Sequence, residues 1–411
     1  METLPTPPAP LRSLRTGVVH DWLPVYGGAE RVLEQVLSVV SCDEVCTLVD
    51  FLEGGDRAFL GDRTVRTSFI QDLPFARRLY RHYLPLAPLA IEGFDLGAHD
   101  LVVSSSYAVA KGVLTTADQL HVSYVHSPVR YGWDLQFEYL RDGGMARRGP
   151  KRAAARALLH YLRLFDAGSA GRVDLFVANS HHVARRIWKT YRRPAAVVHP
   201  PVDLDAFAVG EDKAGYYVTV GRLVPYKRFD VVVEAFNEMP GRELVVIGDG
   251  PDLGRLERMA GPNVRVLGRQ PFSALRHYLQ HARAFVFAGL EDFGIAPVEA
   301  QACGTPVIAY GRGGALETVR HGVSGLHFDQ QTPEAVRDAV RRFERATFEP
   351  GAVREWAEQF STERFRSRLA DVLEAAWARF HAVGSLGAAG DLDAEMVAGA
   401  PGGAAPLALR P

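Results

Sequence analysis

The sequence predicts an α/β protein made of two Rossmann-like, doubly wound domains that face each other across a cleft. Short apolar runs alternate with amphipathic stretches along most of the chain, which is the pattern of parallel sheets covered by helices. The 411 residues are enough for two domains that each bury a core of their own. In domains of this kind, ligands bind at the carboxyl ends of the strands.

The two ends of the chain lack this pattern. Residues 1–15 are rich in proline, and residues 384–411 are rich in glycine, alanine and proline. Segments of such composition have too few apolar residues to form a packed core. We therefore expect both ends to be disordered.

The first domain is predicted over residues 16–205. Its connections are long and irregular, and its strands are expected at 16–20, 100–104, 121–125 and 174–178. A crossing segment at 200–212 leads into the second domain.

The second domain is predicted over residues 213–367 and has the clearer pattern. Each strand-like run is followed by a helical stretch, and the six runs are 216–220, 243–247, 264–267, 284–287, 306–309 and 325–328. Six strand–helix units make a doubly wound domain.

Composition argues against several classes of protein. A formal net charge of −1 gives no reason to expect nucleic acid as a partner. Cys42, Cys46 and Cys303 are too few and too unevenly spaced for a disulfide framework or a zinc site, so we expect free thiols in a reducing, cytoplasmic compartment. The N-terminus lacks the pattern of a secretory signal, and no apolar run reaches the roughly 20 residues of a membrane helix.

Two cations follow the first strand of the second domain. The stretch G-R-L-V-P-Y-K-R begins at Gly221 and contains Arg222 and Lys227. A guanidinium and an ammonium in a loop at a strand end can bind one diphosphate together. The alternative is a solvated basic turn.

Two acids flank a predicted helix start in E-D-F-G-I-A-P-V-E, which runs from Glu291 to Glu299. An apolar strand follows, so a helix is expected between Gly294 and Gly304, with Pro297 in its first turn. Glu291 then lies in the loop before the helix and Glu299 in the first turn. The amides of this helix start attract phosphate, and Glu299 can accept hydrogen bonds from a ribose. The alternatives are acids that merely complement the helix dipole, or a carboxylate pair like that of a glycoside hydrolase.

A glycine pair follows the first strand of the chain. In V-V-H-D-W-L-P-V-Y-G-G-A-E-R, a strand leads into Gly27-Gly28 and then into a helix. Paired glycines let the backbone approach a phosphate or a sugar closely, and the alternative is a plain tight turn. The stretch is neither a dinucleotide fingerprint nor a Walker sequence, which argues against a nicotinamide or ATP site.

A polar and aromatic cluster follows another strand of the first half. The stretch S-Y-V-H-S-P-V-R-Y-G-W-D holds side chains that suit sugar recognition, namely His126, Arg130, Tyr131, Trp133 and Asp134. A single histidine such as His126 also fits a purely structural role.

Two further patterns are interpreted as structural. Asp203-Leu204-Asp205 is similar to the D-x-D that binds metal in another class of sugar transferase, but it lies in the crossing segment. The stretch G-D-G-P at 248–251 has the composition of a turn. No metal and no cofactor are therefore expected.

Taken in order over about residues 16–380, these motifs resemble the retaining nucleotide-sugar glycosyltransferases of family 4, which have the GT-B fold. The residues that match are the E-x7-E pair, the G-R-x4-K element and the glycine loop, that is Glu291 and Glu299, then Gly221, Arg222 and Lys227, then Gly27 and Gly28. The combination of H-D-W and G-G-A-E with H-S-P-x-R-Y-x-W-D and E-D-F-G-I-x-P-V-E is most similar to bacterial mannosyltransferases of surface-polysaccharide and O-antigen assembly. Those enzymes use GDP-mannose.

The resemblance implies a donor site in the second domain. Arg222 and Lys227 would neutralise the departing diphosphate. Glu299 would hold the ribose, and Glu291 would lie near the hydroxyls of the donor sugar. The remaining donor contacts would come from Gly27, Gly28, Gly221, Leu267, Gly268, Phe293, Gly294 and Ile295.

The resemblance also implies a catalytic and acceptor site in the first domain. His126 would face the reacting carbon, and acceptor binding would involve Asp21, Arg130, Tyr131 and Trp133. The transfer would retain the anomeric configuration without metal, onto a glycan or a lipid-linked saccharide. As in the family, the last helix, at about 368–383, would return to the first domain.

Two basic segments predict peripheral contact with a membrane. Residues 147–163 hold six Lys/Arg and no acid, and residues 77–91 mix arginine with apolar side chains. Such segments suit an anionic membrane surface and a lipid-linked acceptor. The alternative is surface helices that pack on their own domain.

Three other functions stay open at this point. The same fold could use a UDP-hexose donor, as a glucosyltransferase would. The chain could bind a sugar nucleotide without catalysis. A Rossmann oxidoreductase is the third alternative, against which the missing dinucleotide fingerprint counts.

Overall fold

The computed structural model describes residues 9–142, 149–210 and 212–383. These residues divide into two compact units. The first unit contains the described residues up to 179 together with 183–198 and 368–383, and the second contains 180–182 and 199–367. Each unit is built on one parallel sheet.

The sheet of the first unit has seven strands. They are β1 (Thr16–His20), β2 (Glu44–Thr47), β3 (Thr64–Thr67), β4 (Leu101–Ser106), β5 (Leu120–Val125), β6 (Leu175–Ala178) and β7 (Ala196–Val197). They pair in the order β3-β2-β1-β4-β5-β6-β7. Every residue of the adjacent strands β1, β4 and β5 is buried, as expected of a parallel sheet covered on both faces.

The strands of this sheet are connected by helices of uneven length. The α-helices are α1 (Ala9–Arg12), α2 (Gly28–Val39), α3 (Ala76–Leu79), α4 (Ala87–Glu92), α5 (Gln136–Asp142), α6 (Pro150–Ser169) and α7 (His181–Tyr191). Short 3₁₀ helices lie between them at Gly54–Leu60, Phe69–Asp72, Tyr80–Leu86, Ala110–Gly112 and Ala170–Arg172.

The sheet of the second unit has six strands. They are β8 (Tyr216–Val220), β9 (Glu243–Ile247), β10 (Val264–Val266), β11 (Ala284–Phe287), β12 (Val307–Tyr310) and β13 (Gly325–Phe328). Their order, β10-β9-β8-β11-β12-β13, is that of a doubly wound Rossmann sheet. The six predicted strands are thereby confirmed, each to within one residue at either end.

Helices cover this second sheet and complete the chain. They are α8 (Phe229–Asn237), α9 (Leu253–Met259), α10 (Phe272–His281), α11 (Ile295–Ala302), α12 (Ala315–Thr318), α13 (Pro333–Phe343), α14 (Pro350–Ala357) and α15 (Thr362–Val383). The helix α15 belongs to the first unit from Arg368 onward.

Three strands of the first sheet were not predicted. β2 mixes Glu, Cys and Thr with a single Val, and β3 lies at the edge of the sheet with partly exposed residues. β7 is two residues long and lies at the opposite edge. Strands this short or this polar carry too weak an apolar pattern to be recognised.

The boundary between the units lies earlier than the predicted residue 205. Residues 199–210 belong to the second unit. Val202 donates its backbone N–H to the Phe360 carbonyl at 2.9 Å, and Leu204 and Phe207 are buried in the core of the second unit. The apolar side chains of the crossing segment therefore decide the boundary.

The predicted disorder of residues 1–15 is wrong for its last part. Residues 9–12 form α1, Leu11 is fully buried, and Leu14 is nearly so. Arg15 forms an ion pair of 2.7 Å with Asp100. Residues 1–8 and the predicted tail 384–411 lie outside the described residues.

The two basic segments differ in how much of them is described. Residues 77–91 are described completely, whereas residues 147 and 148 of the segment 147–163 lie outside the described residues. Within the described ranges, no helix combines the length and the apolar composition that crossing a membrane requires.

Candidate functional site

Three neighbouring strands of the first sheet end in polar residues that contact one another. His20 ends β1 and is in register with Ser105 on β4, and His126 directly follows β5. Ser105 Oγ lies 3.0 Å from His20 Nδ1 and 2.8 Å from His126 Nε2. The predicted catalytic histidine is therefore part of a hydrogen-bonded row at the carboxyl end of the sheet.

His126 is uncharged at physiological pH. Removal from water, reinforced by the nearby His20, lowers the pKa of His126 to about 3. A neutral imidazole offers one N–H donor and one acceptor nitrogen, and it is poorly matched to proton transfer near pH 7. The geometry therefore suits His126 to hydrogen bonding with a hydroxyl group.

The glycine loop after β1 is closed by a glutamate. Gly27 precedes α2 and donates its N–H to Glu30 Oε2 at 3.0 Å. The other oxygen of Glu30 lies 3.6 Å from His20 Nε2. Gly27 has an extended backbone. A contact of Gly27 and Gly28 with the sugar-nucleotide donor stays a prediction. Glu30 is an additional residue of the candidate site. The position of Glu30 three residues after the cap, in G-G-A-E, is the capping-box signal that marks it.

Asp21 is not an acceptor-binding residue. Its side chain is fully buried, and its two oxygens accept the backbone N–H groups of the four residues 107–110. No lone pair in a favourable direction is left for a substrate, because each oxygen already accepts two hydrogen bonds. Asp21 instead holds the loop that follows β4.

Trp133 also serves the structure of the first unit. Its indole N–H donates to Asp166 at 2.7 Å, and the same carboxylate binds Lys111 Nζ at 2.6 Å and the Tyr191 hydroxyl at 2.9 Å. Lys111 and Asp166 are both buried. The polar end of Trp133 is thus committed to a buried network, and a contact of its partly exposed ring with an acceptor stays a prediction.

The other two predicted acceptor residues are partly exposed. Tyr131 packs edge-on against Tyr139 with ring centroids 6.0 Å apart, and burial raises the pKa of Tyr131. Arg130 lies beside it with intermediate exposure. Their contact with an acceptor stays a prediction.

In the second unit, the structure brings together two of the predicted catalytic residues. Lys227 ends a 3₁₀ helix at Pro225–Lys227, and its Nζ lies 3.0 Å from Glu291 Oε1. Both side chains are largely removed from solvent, whereas Arg222 on the same loop is exposed. A Cβ on Gly221 would lie 3.4 Å from Lys227 Nζ, so the glycine leaves room for the ammonium group.

The helix that follows Glu291 begins where the sequence predicted. α11 runs from Ile295 to Ala302, and Gly294 precedes it in a left-handed conformation with φ of 97°. Such a φ is accessible to glycine at little cost. The free N–H groups of Ile295 and Ala296 open the helix and can bind an anion, whereas Pro297 has no N–H to offer.

Two residues of this motif lie differently from the prediction. Glu299 is the fifth residue of α11 and is buried, so it lies in the second turn and not in the first. Phe293 is buried and stacks on His199 with ring centroids 5.6 Å apart. Any contact of Phe293 with a ligand would therefore come from its backbone.

A second glycine pair supports this loop from behind. Gly314 donates its N–H to the Glu291 carbonyl at 2.9 Å. A Cβ on Gly314 would lie 2.4 Å from the Cα of Phe293, and one on Gly313 would lie 2.5 Å from the Glu291 carbonyl oxygen. These glycines are required for the close approach of two backbones, and the sequence motifs did not mark them.

The predicted border of the nucleotide base lies at the end of β10. Leu267 donates its N–H to Val246 on β9, and Gly268 accepts a hydrogen bond from Gly248. Leu267 and Gly268 are both partly exposed. The loop is thus well anchored at the carboxyl edge of the sheet, and its contact with a base stays a prediction.

One group of potential metal ligands lies among the described residues. His181, His199 and Glu317 bring ligand-type atoms within 4.8 Å of one another. Glu317 already accepts the backbone N–H of His181 at 2.8 Å and contacts His199 Nε2 at 3.1 Å. Burial would raise the pKa of Glu317, but these hydrogen bonds lower it overall. Hydrogen bonding accounts for this group, and Asp203 of the D-x-D stretch accepts the N–H of Ala206 in a turn.

Two family profiles match the sequence. One, described as "Glycosyltransferase Family 4", matches residues 26–206, and another, described as "Glycosyl transferases group 1", matches residues 203–359. The chain belongs to the family 4 glycosyltransferases of the GT-B fold. Its two Rossmann-like units agree with the predicted fold class.

The curated relatives match this chain over only part of their own length. The D-inositol 3-phosphate glycosyltransferase of Mycolicibacterium paratuberculosis is 35% identical over 177 residues, which cover 37% of this chain and 40% of that protein. The protein of the same name from Mycobacterium bovis is 34% identical over 181 residues, which cover 37% of each chain. The match thus spans less than half of either relative.

Solved structures with the same architecture cover nearly the whole chain. HepE of Anabaena, in complex with UDP and glucose, has a TM-score of 0.64 at 16% identity and covers 87% of this chain and 99% of its own. The sucrose-phosphate synthase of Thermosynechococcus elongatus has a TM-score of 0.65 at 16% identity and covers 89% and 100%. At such identities the likeness establishes the fold alone.

Proposed function

We propose that this chain is a retaining glycosyltransferase that moves a hexose from a nucleotide sugar to an acceptor without a metal ion. The observation that carries the proposal is the 3.0 Å contact between Lys227 Nζ and Glu291 Oε1 beside the start of α11. A cation, a carboxylate and free amides at one loop suit a bound sugar diphosphate.

The donor would be held mainly by the second unit. Lys227 and the exposed Arg222 would bind the diphosphate and stabilise its charge as it leaves, which is the work that a metal does in other transferases. Glu291 would bind hydroxyls of the sugar. Glu299 would reach the ribose from the second turn of α11, and Leu267-Gly268 would border the base.

GDP-mannose is the donor that we propose first. The motifs around His20, His126 and Glu291 resemble those of bacterial mannosyltransferases of surface-polysaccharide assembly. A UDP-hexose is the second candidate, since the structure of HepE holds UDP and glucose. The base and the sugar can vary while the diphosphate contacts are kept, so both donors fit the same Lys227–Glu291 pair.

The first unit would supply His126 and the acceptor contacts. A neutral His126 would hydrogen bond to the donor sugar and hold its reacting carbon in place. The acceptor would attack from the side of the leaving diphosphate through an oxocarbenium-like state, which retains the anomeric configuration.

The acceptor that we propose carries an anionic group. A pocket of about 470 Å³ on the first unit is lined by Arg156, His160, Arg163 and Gln136, and Arg163 donates from one guanidinium nitrogen to Gln136 and to the Gly132 carbonyl. A phosphate fits this set, and it is present both in a lipid-linked saccharide and in an inositol phosphate such as the one named for the mycobacterial relatives. An acceptor assay with Arg156→Ala tests the site, because a phosphorylated acceptor should lose affinity and an uncharged sugar should not.

Peripheral contact with the cytoplasmic face of a membrane is part of the same proposal. Phe75 and Leu89 are 76% and 64% exposed beside the exposed Arg77, Arg78 and Arg81. Tyr161 and Leu164 of α6 are exposed as well, near Arg156. Exposed apolar groups among cations suit anionic lipids. Failure of the protein to co-sediment with anionic vesicles at low salt would contradict this part.

One experiment tests the enzyme and its mechanism together. Purified protein is offered a panel of nucleotide sugars, including GDP-mannose and UDP-glucose, with EDTA present, and release of nucleoside diphosphate is measured with and without acceptors. We expect release from one donor, greater with an acceptor. If the protein neither binds a donor nor releases nucleoside diphosphate, the proposed glycosyltransferase activity is wrong. If release depends strictly on added divalent metal, the proposed metal-independent mechanism is wrong.

The same measurement separates the remaining alternatives. If the chain only binds sugar nucleotides, it should bind the donor and release no nucleoside diphosphate, although Lys227, Glu291 and His126 are all present. A Rossmann oxidoreductase would bind a nicotinamide dinucleotide, so titration with NAD and NADP provides the second arm of the test.

A further inference from the structure

We propose that Glu30, His20 and Ser105 form a polar chain, linked by hydrogen bonds at Ser105 and by the charge of Glu30 beside His20, that fixes the tautomer of His126, so that its Nδ1 accepts a hydrogen bond from a hydroxyl of the donor sugar. The three residues are positioning residues, since only His126 would touch the substrate. The part of the inference that concerns the sugar rests on the proposed function. The part that concerns the tautomer rests on the first unit alone.

The order of the strands brings the chain together. β1, β4 and β5 are adjacent, and His20 and Ser105 are register partners at the carboxyl ends of the first two. His126 follows β5 and donates its backbone N–H to Ser106 at 2.9 Å. The contacts of 3.0 and 2.8 Å at Ser105 Oγ then follow from the sheet itself, and they are protected because His20 and Ser105 are fully buried.

Glu30 gives the chain its direction. A carboxylate only accepts hydrogen bonds, and one oxygen of Glu30 already accepts the N–H of Gly27. The other oxygen lies 3.6 Å from His20 Nε2, which is beyond hydrogen-bond distance, and its negative charge favours the proton of a neutral His20 on that nitrogen. His20 Nδ1 is then an acceptor.

The remaining protons follow from His20 in sequence. Ser105 has one hydroxyl proton, which it donates to His20 Nδ1. Ser105 Oγ therefore accepts a hydrogen bond from His126 Nε2, which must carry the proton of that ring. The lone pair of His126 is left on Nδ1, which has no hydrogen-bond partner among the described residues.

The surroundings of the two rings include Tyr107, and burial keeps the His126 ring uncharged. The ring of Tyr107 lies edge-on to both, with centroids 5.8 Å from His20 and 5.8 Å from His126. Burial raises the pKa of Tyr107, and removal from water lowers that of His126. The charge of Glu30 and the directed hydrogen bonds at Ser105 thus decide which nitrogen of His126 faces a ligand.

Nitrogen-15 NMR of the full chain, labelled on histidine, tests the tautomer directly. We expect wild-type His126 to carry its proton on Nε2. In Glu30→Gln the new amide can donate to His20 Nε2 while its oxygen still accepts from Gly27, so the chain should reverse and move the proton of His126 to Nδ1. In Ser105→Ala the chain is cut, and both tautomers should be populated.

Ser104→Ala is a matched control for this measurement. Ser104 lies next to Ser105 on β4, and its Oγ contacts His121 Nε2 at 2.9 Å, so the variant removes a similar buried serine–histidine contact. It should leave the tautomer of His126 unchanged. A proton on Nδ1 in the wild type, or a tautomer that does not respond to either variant at Glu30 or Ser105, would overturn the proposal.

Kinetics with modified donors test the link to the sugar. Ser105→Ala should lower kcat about tenfold with a smaller change in KM, as expected for one misdirected hydrogen bond. With a set of monodeoxy donors, the loss should disappear for the analogue that lacks the contacted hydroxyl. An equal loss of kcat with every analogue would show that His126 does not contact a hydroxyl of the sugar. If the protein transfers no sugar at all, the proposed function is wrong, but the tautomer measurement is still valid.

Discussion

Lys227 Nζ lies 3.0 Å from Glu291 Oε1, although the two residues come from separate loops of the second unit. The contact joins a cation and an acid that sequence motifs marked independently. Only 21% and 16% of the two side chains are exposed, so the pair is better shielded from solvent than an ordinary surface ion pair. It ties the ammonium group to the loop that precedes α11.

Lys227→Ala should abolish most of the activity and leave the protein stable. Loss of one group that stabilises charge in the transition state costs about 100-fold or more in kcat. The free energy of unfolding should change by about 1 kcal/mol or less, because the lysine is not in the core. Steady-state kinetics and urea denaturation provide the two measurements.

Lys189→Ala is the control for this variant. Lys189 is exposed on α7, so its removal should change neither quantity. If Lys227→Ala and Lys189→Ala have equal rates, Lys227 does not belong to the site.

Gly314→Ala should weaken donor binding through the backbone. The new Cβ would lie 2.4 Å from the Cα and the carbonyl oxygen of Phe293, so the loop that precedes α11 must move. We expect a loss of about 1–3 kcal/mol in stability and a rise of about tenfold in the donor dissociation constant, measured by calorimetry. Gly215→Ala is the matched control, because a Cβ there meets nothing within 4 Å. Unchanged donor binding in Gly314→Ala would show that the position of this loop does not matter for the ligand.

The fold of the second unit could be predicted from the sequence because its strands are buried on both faces. Runs such as 243–247 are then continuously apolar and stand out against the helices. The start of α11 could be predicted as well, since Gly294 and Gly304 have the positive φ values that favour glycine at helix ends. The polar strands β2 and β3 carry no comparable pattern.

The residue types of the candidate site could be predicted from the sequence, whereas the contacts between these residues could not. The motifs contained His20 and Glu30, but their connection to His126 runs through Ser105, near the end of a strand that the motifs did not include. Only the register of β1 with β4 reveals that connection. The prediction for Asp21 was wrong because an acid next to a strand end gives the same sequence pattern whether it binds a substrate or holds a loop.

Asp21→Asn should therefore destabilise the protein. Each carboxylate oxygen of Asp21 accepts two backbone N–H groups of the loop 107–110. In the variant, an NH₂ group replaces one of these oxygens and faces two backbone N–H groups that then lack an acceptor. Loss of a buried, fully paired charge costs about 3–5 kcal/mol, which denaturation would detect. Asp118→Asn, at an exposed aspartate, should have no such effect. A variant at Asp21 that keeps its stability but loses acceptor affinity would restore the acceptor role.

Stability should fall below pH 6.5 because buried histidines resist protonation. Removal from water lowers the pKa of His121 to about 4 and that of His126 to about 3, from an ordinary value of 6.5. As the pH drops below 6.5, the unfolded chain binds protons that the native chain does not, so each histidine lowers the free energy of unfolding by about 1.4 kcal/mol per pH unit. This stability is present above pH 6.5 and continues to be lost until the native pKa is reached.

Urea denaturation at pH 7.0 and pH 5.0 measures this effect for one residue at a time. His121→Gln should reduce the difference in unfolding free energy between the two pH values by about 2 kcal/mol, whatever its effect on stability at pH 7.0. His82→Gln, at an exposed histidine, should leave the difference unchanged. Equal differences in the wild type and in His121→Gln would mean that His121 takes up a proton in the native protein over this range, which its complete burial argues against.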